Sequence, residues 1–395
     1  MGIGAGRACA AGRFGAYYER SVCLIRFHLP LAIAVFCLPF RAPARTNEFL
    51  PELPDLPLWD HSLNLRVAAG YKDNLLLNRA ATESSYLLAT TLETMILRLP
   101  LDNRQFTFLA QAEDVRYPQG ERVRKEQTVL ALAQVKLDLR DGIQGGFAVE
   151  YIYQDQVFDV SATDTNIEPL QLVGHRIALR PSVRWKLPEH LWLEAEASLQ
   201  RQWFAAPVDD YWEVGPKFTV GRDYGHRSAL SLSYQYALRP YDERAPLQPD
   251  GTPVAGATLQ FSRHDLDLTL RHNWDARRRW RTVTRLNCLF NEDNNSGYFD
   301  YRLYKLTQQI RCVARPWEFK VQARVSRYDF VAQTVSVTNP SLREKTLIAA
   351  GARAERELNR HLKLFADYDY EASLSNRQSD EYRAHKVSAG ADWQF

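Results

Sequence analysis

The chain is poor in sulfur, with 2 Met and 5 Cys among 395 residues. It also lacks any stretch of roughly eighteen uncharged apolar residues, the minimum for a membrane-spanning helix. Cys9, Cys23 and Cys37 lie in the first 44 residues, which leaves only Cys288 and Cys312. Two cysteines make no disulfide framework, and neither has metal-type neighbour spacing. They are expected on neighbouring strands but several residues out of step, too far apart to bond. No Gly-rich phosphate loop or zinc-spaced cluster occurs. His175, His264, His272 and His385 are scattered, and none follows a recognisable nucleophile motif. No catalytic, cofactor-binding or metal-ligating residue can therefore be nominated, and the chain is not expected to be an enzyme.

A basic excess is missing too. The formal charge of +3 owes itself to residues 1–44, which hold five Arg (7, 13, 20, 26 and 41) and Glu19. Without them 45 basic residues face 46 acidic ones. There is no electrostatic case for nucleic acid. Those 44 residues have a basic start, a short apolar core "LPLAIAVFCLPF" (29–40) and Ala42-Pro43-Ala44, the pattern of a cleaved export signal. Residues 1–25 are long for the basic region of such a signal, which raises the expectation of a translation start further in. Residues 45–62, "RTNEFLPELPDLPLWDHS", are proline-rich and read as an extended periplasmic lead-in.

What the chain does have is aromatics (19 Tyr, 18 Phe, 9 Trp) and period-two alternation. Val129, Ala131, Ala133, Val135, Leu137 and Leu139 alternate with Gln134, Lys136, Asp138 and Arg140. Ile177, Leu179, Val183 and Trp185 alternate with Arg176, Arg180, Arg184 and Lys186. Such runs are strands with two differently solvated faces. Short polar connections interrupt them at 100–103, 141–144, 188–190, 222–226, 275–279, 315–316 and 359–361. Longer ones fall near 72–84, 117–126, 155–171, 204–212, 239–259, 291–298, 330–345 and 373–381. Strict alternation of seven short and eight long connections predicts sixteen strands in an up-and-down transmembrane β-barrel over 63–395. Fourteen is the nearest alternative count, because 298–315 alternates poorly and 212–220 is short.

A soluble sandwich would bury its apolar faces between two sheets. Here the strands are long, the polar face is heavily charged, and the apolar face carries Trp185, Trp274, Trp280, Trp317 and Trp393 beside short turns. Tyr151, Tyr153, Tyr234, Tyr236, Tyr368 and Tyr370 share that face beside long loops. Girdles at two interfaces are what a lipid-facing surface requires. Closure follows, since an open edge in hydrocarbon would leave backbone groups unsatisfied; the last strand must pair with the first. Opposite charges also meet if Leu139 faces Phe147 (Lys136 on Glu150), Leu187 faces Leu191 (Arg184 on Glu194), and Leu358 faces Leu362 (Glu357 on Lys363, Arg353 on Asp367).

The end of the chain, "VSAGADWQF" (387–395), resembles the C-terminal signature of bacterial outer-membrane barrels. The resemblance implies that the barrel-assembly machinery reads Trp393 and Phe395. "LNLRVAAGYKDNLLLN" (63–78) is similar to the opening strand of the uncharacterised β-barrel porin families. It implies an outer-membrane location and channel activity and identifies no substrate. Asp73 and Asn74 within it read as ordinary loop chemistry.

Sixteen strands leave an aqueous lumen. Arg176, Arg180, Arg184, Lys186, Glu194, Glu196, Arg281, Arg285, Lys320, Arg324, Lys363 and Asp367 are expected to line it. Arg176, Arg180 and Arg184 form either a cationic stripe favouring anions or a set of neutralised register-holding residues. The expected function is passive passage of small hydrophilic solutes, by a channel embedded in outer-membrane lipid. A homo-oligomer is common at this size, though no residue marks an oligomer face. The alternative readings are a barrel of a surface polysaccharide or lipoprotein export system and, last, a barrel-embedded enzyme.

Overall fold

The computed structural model describes residues 58–79, 82–100, 103–159, 169–205, 209–336 and 338–395. The expected signal segment 1–44 and the lead-in to residue 57 lie outside them. Sixteen strands follow one another: β1 (Trp59–Lys72), β2 (Ser85–Arg98), β3 (Arg104–Arg116) and β4 (Lys125–Arg140). Next come β5 (Ile143–Asp159), β6 (Pro169–Lys186), β7 (Leu191–Phe204) and β8 (Tyr211–Tyr224). The second half holds β9 (Ser228–Pro240), β10 (Gln260–Asn273), β11 (Trp280–Asp293) and β12 (Tyr301–Ala314). The wall ends with β13 (Trp317–Thr334), β14 (Leu342–Glu357), β15 (Leu362–Ser375) and β16 (Tyr382–Gln394). Each pairs antiparallel with its sequence neighbour, and β1 pairs with β16, so the sheet closes. The two doubtful stretches are complete strands, β12 and β8, which settles sixteen over fourteen. β1 begins at Trp59, inside the expected lead-in, because Trp59 to Ser62 already pair with Arg98 to Met95.

Alternation sorts each strand between two environments. Leu193, Leu199, Leu266, Val321 and Val387 are exposed on the outer face, as are Trp185, Trp274, Trp280, Trp317 and Trp393 near the short turns. Tyr234 and Tyr368 are exposed near the long loops. The expected girdles are thus in place.

The hairpins at 188–190 and 359–361 have the predicted registers, with Arg184 opposite Glu194 and Arg353 opposite Asp367. The hairpin at 141–144 does not. Its turn needs only Asp141 and Gly142, the latter at φ +76°, a left-handed conformation that glycine adopts without strain. Gln144 therefore joins the strand, a register slip sits between Asp138 and Arg140, and Phe147 faces Val135 rather than Leu139. Lys136 lies opposite Gly146, not Glu150. Cys288 faces Tyr304 while Cys312 faces Trp280, eight positions apart on β12, and both are free thiols. In the turn at 275–279, the amides of Arg279 and Trp280 donate to Asp275 and hold its carboxyl below the usual carboxylate range. That support is present above the ordinary carboxylate pKa and is lost as the pH falls through the lowered one.

Among the described residues the hydrophobic clusters lie at the loop end of the interior. Leu75 and Leu76, in the loop after β1, pack with Leu87, Val115, Tyr117 and Val123. Leu77 packs instead with Leu347, Tyr382 and Ala384. One loop therefore rests on both banks of the β1–β16 seam. Asn74, almost fully buried, donates to the carbonyls of Asn78 (2.8 Å) and Arg383 (2.9 Å). Asp73 accepts the His385 amide at 2.7 Å. Both residues do loop chemistry, as expected. A third cluster joins Tyr211, Tyr241, Leu259, Phe261 and Phe299 under the 241–259 loop.

The seam itself is tight: a Cβ on Gly70 would collide with the Val387 carbonyl oxygen, and one on Gly390 with that of Val67. A Gly390→Val variant should therefore fail to form the compact, heat-modifiable barrel in gel-shift assays. Asn74→Ala should fold but lose about 1–3 kcal/mol in denaturant titrations, the cost of stranding buried carbonyls.

Candidate permeation pathway

A cavity of about 1350 Å³ runs along the barrel interior. Its lining extends from Asp223, Arg271 and Arg281 near the short turns to Tyr241, Phe261 and Phe299 at the loop end. Twenty-one of the lining side chains are basic and ten acidic. Several further carboxylates, including Glu150, Glu194, Glu318 and Glu355, stand in the wall behind the arginines that they bind. The asymmetry is geometric. A carboxylate on a short stem stays near the backbone, whereas a guanidinium on a long stem reaches the water.

Of the predicted lining residues, Arg176, Arg180, Arg184, Glu196, Arg281, Arg285, Lys320, Arg324 and Asp367 border the cavity. Lys186, Glu194 and Lys363 share the inward parity but do not border it. Lys186 and Lys363 sit by the short turns, and Glu194 lies under Arg184 at 3.4 Å. The arginines of β6 are neutralised in place: Arg176 and Arg180 converge on Glu150, the latter at 3.2 Å, and Arg184 stacks on Trp192 with 3.5 Å to the ring centroid. As a stripe they bind the wall together.

The strongest concentration of one sign lies elsewhere. Arg281 of β11 is directly opposite Arg311 of β12, Arg311 is opposite Lys320 of β13, and Lys320 is opposite Arg353 of β14. Four cations thus stand in one cross-strand row, and all four border the cavity. Directly opposed like charges destabilise a sheet. The next row toward the short turns offsets them, since Glu318 and Glu355 face each other there. Arg311 binds Glu318 bidentately at 2.7 and 2.6 Å, and Lys320 reaches Glu318 and Glu355 at 3.2 Å each. Arg353 also binds Asp367 at 2.8 Å. Two of these four, Arg281 and Lys320, were legible in the sequence as lining residues. Arg311 was missed because its strand alternates poorly, and the row itself needs three correct registers at once.

At the loop end the wall is tiled with aromatic rings under guanidinium groups. Arg239 lies over Tyr211 (4.4 Å), Arg343 over Phe330 (4.5 Å), and Arg244 over both Tyr241 and Phe299 (5.2 and 4.9 Å). Glu213 accepts from Arg263 at 3.0 Å and from Arg239 at 2.7 Å. On the outside, Arg201 donates to Asp242 of the 241–259 loop, and that bond lowers the Asp242 carboxyl pKa. The four histidines singled out in the sequence lie on β6, β10 and β16. Each stands on the outer face against a tyrosine hydroxyl, His175 on Tyr151, His264 on Tyr234, His272 on Tyr224 and His385 on Tyr368.

No family model and no curated protein matches the chain. Solved structures do resemble it. They include OccAB4 of Acinetobacter baumannii (9% identity, 85% of this chain, 98% of that one, TM-score 0.48). The anion-selective porin of Comamonas acidovorans is 12% identical over 85% of this chain and 100% of that one, with a TM-score of 0.43. The outer membrane protein opdK of Pseudomonas aeruginosa is 8% identical over 85% and 99%, at 0.44. The likeness is one of barrel architecture. The closed sheet, apolar outside and charged inside, is the architecture of a bacterial outer-membrane barrel.

Glu150 provides a test of how the β6 arginines are held. In a Glu150→Gln variant Arg176 and Arg180 lose their shared counter-charge. The barrel should unfold at lower denaturant concentration, by about 1–3 kcal/mol, while its reversal potential in a salt gradient moves toward that of the anion.

Proposed function

We propose that the protein is a passive, porin-like conduit for small hydrophilic solutes with a preference for anions. The observation that carries this reading is the row Arg281, Arg311, Lys320 and Arg353 on the cavity wall. Stability alone does not call for four cations side by side. Charges lining a pore attract counter-ions and raise their local concentration, and low-dielectric walls strengthen the effect. Arg285 adds to it, lining the cavity four residues beyond Arg281 and making no ion pair among the described residues. The carboxylates behind the row fix the guanidinium groups while leaving them the groups that a passing solute meets.

A conduit also fits better than an enzyme. His175, His264, His272 and His385 face outward, away from the cavity, and Glu150, Glu194, Glu318 and Glu355 on the inner wall are engaged by arginines.

Planar-bilayer recording of the purified protein in a potassium chloride gradient tests the reading. Chloride permeation should exceed potassium permeation, and the Arg281→Gln/Arg311→Gln variant should lose most of that preference while keeping a comparable conductance. A dominant cation current in the unaltered protein, or no conductance at all, would overturn the reading.

A further inference from the structure

Three copies of one constellation stand on the outer face at the loop end of the apolar band. In each, a Tyr-x-Tyr pair on a strand rising toward the loops meets a histidine on the following strand. The second tyrosine is the direct cross-strand partner: Tyr153 of His175, Tyr236 of His264 and Tyr370 of His385. Its ring centroid lies 5.0, 5.1 and 5.0 Å from the imidazole. The first tyrosine, two residues deeper in the band, brings its hydroxyl to Nδ1 of the same histidine. The distances are 2.8 Å (Tyr151), 2.8 Å (Tyr234) and 2.9 Å (Tyr368). The sets occupy β5/β6, β9/β10 and β15/β16.

The deeper hydroxyl faces hydrocarbon, where an unsatisfied polar group is costly. The contact satisfies it, and in the tautomer where the hydroxyl donates to Nδ1 the imidazole carries its proton on Nε2. Nε2 has no partner among the described residues. The polar requirement is thus handed from a hydroxyl inside the band to an N–H at its edge. Charged side chains begin just beyond, with the Lys125–Asp155 pair outside the first set and exposed Arg383 two residues beyond His385. On their other sides the first two histidines directly face Trp203 and Phe290, with Arg201 diagonal to His175 and Glu292 diagonal to His264. Near the third, the Asp73 carboxylate is engaged by the His385 amide.

We propose that each Tyr-Tyr-His set is a docking point for the phosphate of an anionic membrane lipid, with Nε2–H donating to a phosphate oxygen and the upper tyrosine ring packing on the lipid below its headgroup. The third set, with Arg383 beside it, binds tightest, since a guanidinium adds a charge-assisted bond to phosphate. The sites are independent of what the pore conducts.

Native mass spectrometry of the purified protein, released from phosphatidylcholine nanodiscs doped with phosphatidylglycerol, tests the proposal. The unaltered protein should retain up to three phosphatidylglycerol molecules in preference to phosphatidylcholine. Each of His175→Phe, His264→Phe and His385→Phe should weaken retention at one site roughly tenfold, equivalent to about 1.4 kcal/mol, and so remove one lipid. The triple variant should retain none while still migrating as a folded, heat-modifiable barrel, and the single variants carry the test should the triple not fold. Equal retention of both lipids by the unaltered protein, or undiminished phosphatidylglycerol on the histidine variants, would overturn the proposal.

Discussion

The structure depends on one constraint: a sheet whose outside is hydrocarbon can leave no backbone donor or acceptor unpaired. An edge would be ruinous, so β1 must find β16. The chain meets that demand with glycine where the two strands draw closest, and with nine paired positions from Asn64–Gln394 to Lys72–Lys386. Once the sheet is closed, every other residue has one decision left, inward or outward. A period of two turns that decision into sequence, and a chain that is hydrophilic on average still presents a continuous apolar band.

Inside, the same geometry produces a second pattern. Side chains directly opposite across β11 to β14 are forced into rows, and the row of four cations stands directly above the Glu318–Glu355 pair. The layered arrangement places its longer members toward the water and its shorter ones against the backbone. The electrostatic surface that a solute meets is therefore more basic than the near-neutral composition of the chain beyond its first 44 residues suggests. Tyrosine and phenylalanine rings under Arg239, Arg244 and Arg343 do the same at the loop end, giving the guanidinium groups a rigid bed.

The barrel was legible in the sequence because its signals are repeated. Fifteen connections of alternating length cannot be misread by the error of any one of them, and a poor strand such as β12 is recovered from its neighbours. Pairwise detail was less secure. The Arg184–Glu194 and Arg353–Asp367 contacts could be read because their turns are clearly bounded, whereas the Asp141-Gly142 turn is shorter than its polar composition suggests, and the Lys136–Glu150 pairing was lost with it. Glu150 is instead held by β6, a partner that no hairpin rule reaches. The histidines looked scattered because the spacing from the cross-strand tyrosine, 22, 28 and 15 residues in the three sets, varies with loop length while the cross-strand position does not. Such relations exist only once the register is known.

The loop after β1 has one more consequence. With Leu75 and Leu76 on one bank of the closing seam and Leu77 on the other, it is a strap across the joint where the two ends of the chain meet. Parting β1 from β16 at that rim would pull the loop off one of its two apolar clusters and break the Asn74–Arg383 bond, while at the opposite rim the described side-chain contacts across the seam are the Arg66–Asp392 bridge and the Arg66 guanidinium over Phe365, besides the ladder. Any sideways opening of the wall therefore starts at the turn end and runs out against the strap, which makes the seam a one-way zipper.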